Sequence, residues 1–415
     1  MILDNIVSQH AEEAAFLWLL RDSSVSAPHY KLSDLSELES RIDAHLDGLR
    51  VAGETGWVHC QEQLNHSESG EVFTAAYIAL DGALVDGLNK VLEVVHGEPT
   101  TIRGLISALG WVEKSKLQGH VVNWLKSDTP LLRLIGLSAC AIQRVDCGAY
   151  LNKALDDDDA GVRARALRSI GEIRRQEMNQ SLREHMHEED ETCRFWSVWS
   201  AAMMGDEEGT AQLVNFAEAD SIFLQPALEL LMRRMDNASA VSLLRTLSQN
   251  QAVERAVVQA SGYFGDSASV PWLIEKMKSP DLSRVAGEAF SLITGLDLAY
   301  QDLESEPPED FQAGPSESPE DDEVDLDQDE DLPWPDIQSI MQWWSLHQAD
   351  FPTGVRRLCG KSVKRAQCLD ILQDGFQRQR QAAAMELAMF DQQQPLFNTS
   401  ATAQRQSELI NLAPS

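Results

Sequence analysis

Basic side chains are scarce in this chain: 34 Lys and Arg stand against 66 Asp and Glu, a formal net charge of −32 over 415 residues. So acidic a balance argues against nucleic acid or an anionic membrane as the main partner, because both require a cationic footprint. Long apolar runs are missing too. No stretch of about 18 uncharged apolar residues occurs, which excludes an ordinary transmembrane helix. The first twenty residues carry no basic stretch, and Gln9, His10, Glu12 and Glu13 interrupt their apolar run, so no signal peptide is expected. The six cysteines (Cys60, Cys140, Cys147, Cys193, Cys359 and Cys368) are irregularly spaced and include no CxxC pair. They are expected to be reduced thiols in a cytoplasmic protein.

Catalytic signatures are also lacking. There is no GxSxG, no P-loop and no GxGxxG opening a helix after a strand. Carboxylates are so abundant that two near each other carry no weight for acid–base work. Cys60 beside His59 would need spatial support to act as a nucleophile, and His29, His45 and His120 read as hydrogen-bonded structural histidines. His185-Met-His187-Glu188-Glu189-Asp190 gathers possible metal ligands, but i and i+2 residues on a helix face apart, so it reads as a polar turn. Asp325-Leu-Asp327-Gln-Asp329 imitates the start of a calcium loop, yet Glu330 replaces the glycine of its sixth position and Asp336 the bidentate glutamate. No cofactor, metal or catalytic residue is expected, and the chain reads as a non-enzyme.

What is present is a core and a rhythm. At 43% hydrophobic residues the chain can bury a sizeable interior. Apolar pairs four apart, which share one face of a helix, recur along it: Leu88/Leu92, Val121/Leu125, Leu151/Leu155, Leu182/Met186, Leu213/Ala217, Leu243/Leu247 and Leu273/Met277. Their second members are separated by 33, 30, 31, 31, 30 and 30 residues. Each pair follows another helical stretch, such as Val162 to Gly171, Phe195 to Gly205 or Val253 to Gly265, and glycine there suits a left-handed helix end. Asp156 to Asp159, Asp190 and Asp281 favour the positive end of the next helix. A fixed period of helix pairs predicts an all-α solenoid.

The period resembles HEAT-type repeats of the short variety, of about 30 residues. Asp159-Ala-Gly-Val162-Arg163-x-x-Ala166-Leu167 carries that resemblance best, and Asp281-Leu-Ser-Arg284 echoes it. The repeat body is expected over residues 66–301, behind an N-terminal helical cap over 1–65 that covers the open end of the array. Residues 302–331 hold 15 acidic and no basic side chains, with Pro307, Pro308, Pro315 and Pro319. Residues 302–333 are therefore expected to be a disordered acidic linker, leaving a small C-terminal helical module over 334–415.

Candidate binding residues lie in two places. Trp196 and Trp199 share one repeat helix, and neighbouring Trp343 and Trp344 cannot both face one core; Trp199 and Trp344 are taken as candidate anchors of a protein partner. Seven basic residues between 354 and 380 include Arg356, Arg357, Arg378 and Arg380, against Asp370 and Asp374. These arginines are candidates too. The acidic linker could fold back and mask them.

Over the whole chain a closer likeness emerges. It rests on Gln9-His10-Ala-Glu-Glu-Ala-Ala-Phe-Leu-Trp18-Leu-Leu-Arg21-Asp22, Ala27-Pro-His29-Tyr30, Leu35 and Ala44-His45-Leu46-Asp47-Gly48-Leu49. Trp343-Trp344, Arg357-Leu-Cys-Gly360 and Gly375-Phe-Gln377-Arg378-Gln-Arg380-Gln-Ala-Ala extend it. The chain resembles a proteobacterial HEAT-repeat family whose genes are often found near type VI secretion components, such as spike and effector genes. The resemblance leaves out the acidic insert. It implies a cytoplasmic adaptor or chaperone that helps an effector or spike protein load, with no catalytic residues. A lyase-type enzyme or enzyme subunit built on such repeats, and a regulatory scaffold unrelated to secretion, are the alternatives.

Overall fold

The computed structural model describes residues 3–218, 221–309, 311 and 327–412. The fold is an all-α repeat solenoid: 22 α-helices among the described residues, and only two short antiparallel ladders. The chain divides into two compact units, residues 1–200 with 392–415, and residues 201–391.

In the first unit, helices Asp4–Ser24, Leu32–Ala52 and Glu54–Gln63 pack together at the N-terminus. Leu35, Ile42, Leu46 and Leu49 recur on one face of the second of these and are buried. Trp18 is fully buried, stacks on Phe73 at 5.2 Å and donates its indole N–H to Ser107 Oγ at 2.9 Å. That bond satisfies the one polar atom the indole carries inward. Helix pairs follow: Ser69–Asp81 with Val85–Gly97, Ile102–Trp111 with His120–Leu125, Pro130–Ile142 with Ala149–Leu155, and Ala160–Ile173 with Asn179–His185. Every periodic apolar pair of this unit lies on the second helix or at its end, and Leu151, Leu155, Leu182 and Met186 are buried.

The helix Ala160–Ile173 starts where Asp159 accepts the Val162 N–H at 3.0 Å. Its end differs from the sequence expectation. Gly171 is inside the helix, and the left-handed residue is Arg174 at φ 62°. Gly205 and Gly265, with φ of 93° and 74°, do take the left-handed conformation that glycine permits.

In the second unit, Glu207–Ala217, Leu224–Arg234 with Asn237–Leu247, Glu254–Phe264 with Val270–Lys276, and Pro280–Thr294 continue the pattern. Asp206, Asp236 and Asp266 each accept a backbone N–H at a helix start. Beyond Pro280–Thr294 the periodicity ends. A hairpin, Arg357–Leu358 with Lys361–Ser362, sits over two repeat helix ends: Arg357 N–H donates to Gly265 O at 2.9 Å and Cys359 N–H to Leu292 O at 2.7 Å. These bonds occupy carbonyls that a helix terminus leaves without partners. Helices Ile337–His347, Arg365–Asp374 and Gln377–Phe390 complete the unit.

These units divide the chain differently from the sequence boundaries. Residues 334–391 cluster with 201–309, and residues 392–415 cluster with 1–200, so 334–415 is not one module. The two ends of the 302–333 segment are structured. Glu304–Ser305 pairs antiparallel with Trp334–Pro335, and Asp327 and Asp329 are held by ion pairs. The expected disorder falls mainly on residues 312–326, outside the described residues.

Candidate protein-binding surfaces

Three arginines one repeat apart, Arg133, Arg163 and Arg194, use one arrangement. Each donates Nη1 to the carbonyls six and five residues earlier: Ser127 and Asp128, Asp157 and Asp158, Glu188 and Glu189. The rest of the guanidinium reaches the next inter-repeat turn. Arg133 holds Asp157 through two bonds of 2.6 and 2.7 Å, and Arg163 holds the Glu188 carboxylate at 3.1 Å. The hydrogen bonds from Arg133 are the main cause holding Asp157's carboxyl below its ordinary range. This ladder fixes repeat spacing, and it absorbs the 185–190 cluster: Glu188 pairs with Arg163, while both ring nitrogens of His185 lie against carbonyls, Ser181 O and Leu155 O.

The first helices of the repeats carry a second set of charges. On Ala160–Ile173, Arg165, Arg168 and Glu172 recur at helical spacing, with Arg144 from the preceding repeat beside them. Glu172 is buried and takes ion pairs from Arg165, from Arg168 at 3.0 Å and from Arg144 at 3.2 Å. Burial pushes its pKa up, but the Arg165, Arg144 and Arg168 charges outweigh burial and hold it at about 2. Such a carboxylate stays ionised across the physiological range.

Along this surface runs the chain's own tail. Leu396 N–H donates to Glu172 O at 2.8 Å, and Arg144 Nε returns a bond to Leu396 O at 2.8 Å. Gln176 contacts Gln392 O, Asn398 donates to Ile142 O, and Arg405 donates to Gln143 O at 2.6 Å. Arg21 then donates to Ser400 O and Ala401 O, and Glu39, itself paired with Arg21 at 2.8 Å, accepts the Ala403 N–H at 2.6 Å. Residues 392–403 are thus held largely through their main chain.

The second unit repeats the arrangement with other residues. Arg233, fully buried, lies 3.2 Å from the Glu386 carboxylate, which also pairs with Arg356. Glu288 accepts from Arg378 at 2.9 Å; burial, only partly offset by Arg378, raises its pKa. Arg255 grips Asp329 through bonds of 2.7 and 2.6 Å, and Arg284 pairs with Asp327 at 2.6 Å.

The candidate anchors fall unevenly on this picture. Trp199 is 6% exposed and packs edge-on against Trp196 at 5.5 Å, so it is a core residue rather than a surface anchor. Its neighbour Trp196 is the half-buried one, with Arg168 4.3 Å above its ring. The reason is helical phase: Phe195, Val198 and Trp199 share the inner face and leave Trp196 on the flank. Trp344 is half-buried against Phe351 and Trp343. Arg357 is buried, donates to Pro352 O and Val355 O, and lies over the Phe351 ring. Arg380 is wholly buried and donates to Leu372 O at 2.6 Å, and burial lowers its pKa to about 10. Arg357 and Arg380 are therefore structural, because carbonyls rather than water satisfy their guanidiniums. Arg356 and Arg378 remain half-buried at ion pairs.

Most of the acidic segment expected to fold over the basic stretch, residues 312–326, lies outside the described residues. The linker's Asp327 and Asp329 meet Arg284 and Arg255 on repeat helices, and the Gln328 carbonyl accepts from Arg378 at 3.3 Å. Sequence reading gave no binding role to Arg144, Arg165, Glu172, Arg255 or Arg284. Aligning the repeats would have marked Arg255 and Arg284, which stand one repeat apart.

Comparison with known families matches a model described as HEAT repeats to residues 149–232. That span contains both the Arg163 rung and Glu172. A search of curated proteins gives no match. Residues 149–232 thus carry HEAT repeats, a class of fold that serves generally as a scaffold for protein interaction.

Proposed function

We propose that this HEAT-repeat chain is a non-catalytic protein-binding adaptor or chaperone, cytoplasmic, that helps load a type VI secretion effector or spike protein. The observation that supports binding is the tail, whose main chain is bonded by the Glu172 carbonyl and by the side chains of Arg144 and Arg21. Main-chain recognition of that kind tolerates varied sequence, which suits an adaptor. The secretion assignment rests on the likeness of both chain ends to the secretion-linked family. No helix among the described residues is long and apolar enough to cross a membrane, which fits a protein partner.

Affinity purification of the tagged full-length protein from its native cells tests this. The expected result is a stoichiometric effector or spike component in the eluate. A retained chromophore with turnover, and no protein partner, would replace the adaptor with the lyase-type reading.

A further inference from the structure

Residues 327–329 are held by three arginines from three helices of the second unit. Asp327 pairs with Arg284 of Pro280–Thr294 at 2.6 Å, and Asp329 takes two bonds from Arg255 of Glu254–Phe264. The intervening Gln328 carbonyl accepts from Arg378 of Gln377–Phe390, and the Asp329 carbonyl accepts from Arg284 Nη1 at 2.8 Å. Arg284 is 6% exposed, and its guanidinium lies against the rings of Phe311 and Trp334, at 5.1 and 4.7 Å. Its Nε is buried with no hydrogen-bond partner among the described residues. Two alternate carboxylates and two carbonyls of one turn, closed by Glu330 N–H to Asp327 O at 3.2 Å, are therefore read at once.

Without that segment Arg255 and Arg284 would lose the carboxylates that Asp329 and Asp327 supply. Cations so enclosed require an anion, because an unpaired buried charge is costly. The bidentate fork of Arg255 selects a carboxylate over a hydroxyl or amide. We propose that Arg255, Arg284 and Arg378 form a receptor for an acidic Asp-x-Asp segment of a partner protein, which the chain's own residues 327–329 occupy in the free protein. The proposal rests on the adaptor reading and names the chemistry of one partner segment. A covalently attached occupant has an effective concentration in the millimolar range, so a partner must compete with it or arrive at high local concentration.

The test uses the full-length protein and a fluorescent peptide, Asp-Gln-Asp-Glu-Asp-Leu-Pro-Trp-Pro, the sequence of residues 327–335. The Asp327→Asn/Asp329→Asn protein is expected to bind it at least about tenfold more tightly than wild type, because its own segment no longer competes. Adding Arg255→Gln to that protein should weaken binding about tenfold, and raised salt should weaken it as well. Equal peptide affinity for wild type and the double variant, or no effect of Arg255→Gln, would overturn the receptor. A measurement on wild type needs no variant to fold: saturating peptide should speed amide hydrogen exchange across residues 327–335, and unchanged exchange overturns the proposal. Failure of both experiments while the tagged protein still retains its partner removes this receptor and leaves the adaptor standing.

Discussion

Gly171 lies so close to Ser200 that a Cβ at position 171 would stand 2.5 Å from the serine Oγ and 2.8 Å from its Cα. Ser200 is itself fixed, donating to Leu167 O at 2.8 Å. The close approach joins successive first helices of the repeat array. Gly171→Ala should therefore cost about 1–3 kcal/mol by overpacking, against the small gain alanine normally brings within a helix. Chemical denaturation checks it, and an unchanged or raised midpoint would count against this contact.

Glu172 is the anion shared by Arg144, Arg165 and Arg168. Glu172→Gln leaves three guanidiniums without it and should cost about 3–5 kcal/mol. Because the folded pKa lies near 2, below the ordinary value of 4.5, this contribution is complete above pH 4.5 and is lost as pH falls toward 2. Acid titration of wild type and variant, followed by circular dichroism, should show the difference between them shrinking over that window.

His10 and His45 meet Nδ1 to Nδ1 at 3.0 Å between the first two long helices, with Glu13 and Arg41 nearby. Burial, then the charge of His10, lowers the His45 pKa below 6.5. A depressed histidine leaves the unfolded chain binding more protons, so stability rises with pH through this range. The contribution is complete above pH 6.5 and lost as pH drops through the lowered folded value. Melting temperature measured from pH 8 to pH 5.5 should fall less steeply in His45→Gln than in wild type; equal slopes would contradict the assignment.

The tryptophans separate by burial. Trp199→Ala removes a core ring and should cost about 3–5 kcal/mol. Trp344→Ala, at a half-buried ring, should cost only about 1–2 kcal/mol. Urea titrations of both variants check the order, and a reversed ranking would return Trp199 to the surface.

The helix pairs are legible in the sequence because every second helix repeats two apolar residues four apart. Helix starts at Asp159 and Asp206 are legible for a similar reason: a capping carboxylate has a residue type and a position. The course of the tail is not. Leu396, Ser400 and Ala401 are held by their carbonyls, and a main-chain bond leaves no mark on side-chain identity. Arg380 misleads for a related reason, since a carbonyl such as Leu372 O can satisfy a guanidinium that composition assigns to solvent. Trp196 and Trp199 are three residues apart, and the helical phase that buries one and not the other depends on which neighbours the helix meets.

The central claim is that within each unit the first helices of the repeats carry the binding residues. Hydrogen–deuterium exchange of the full-length protein, alone and saturated with its captured partner, tests it most directly. Slower exchange on Ala160–Ile173, Glu254–Phe264 and Pro280–Thr294, or release of residues 392–403 or 327–335 from those helices, is the expected result. Protection confined to the second helices Asn179–His185 and Val270–Lys276, with those segments unchanged, would contradict it.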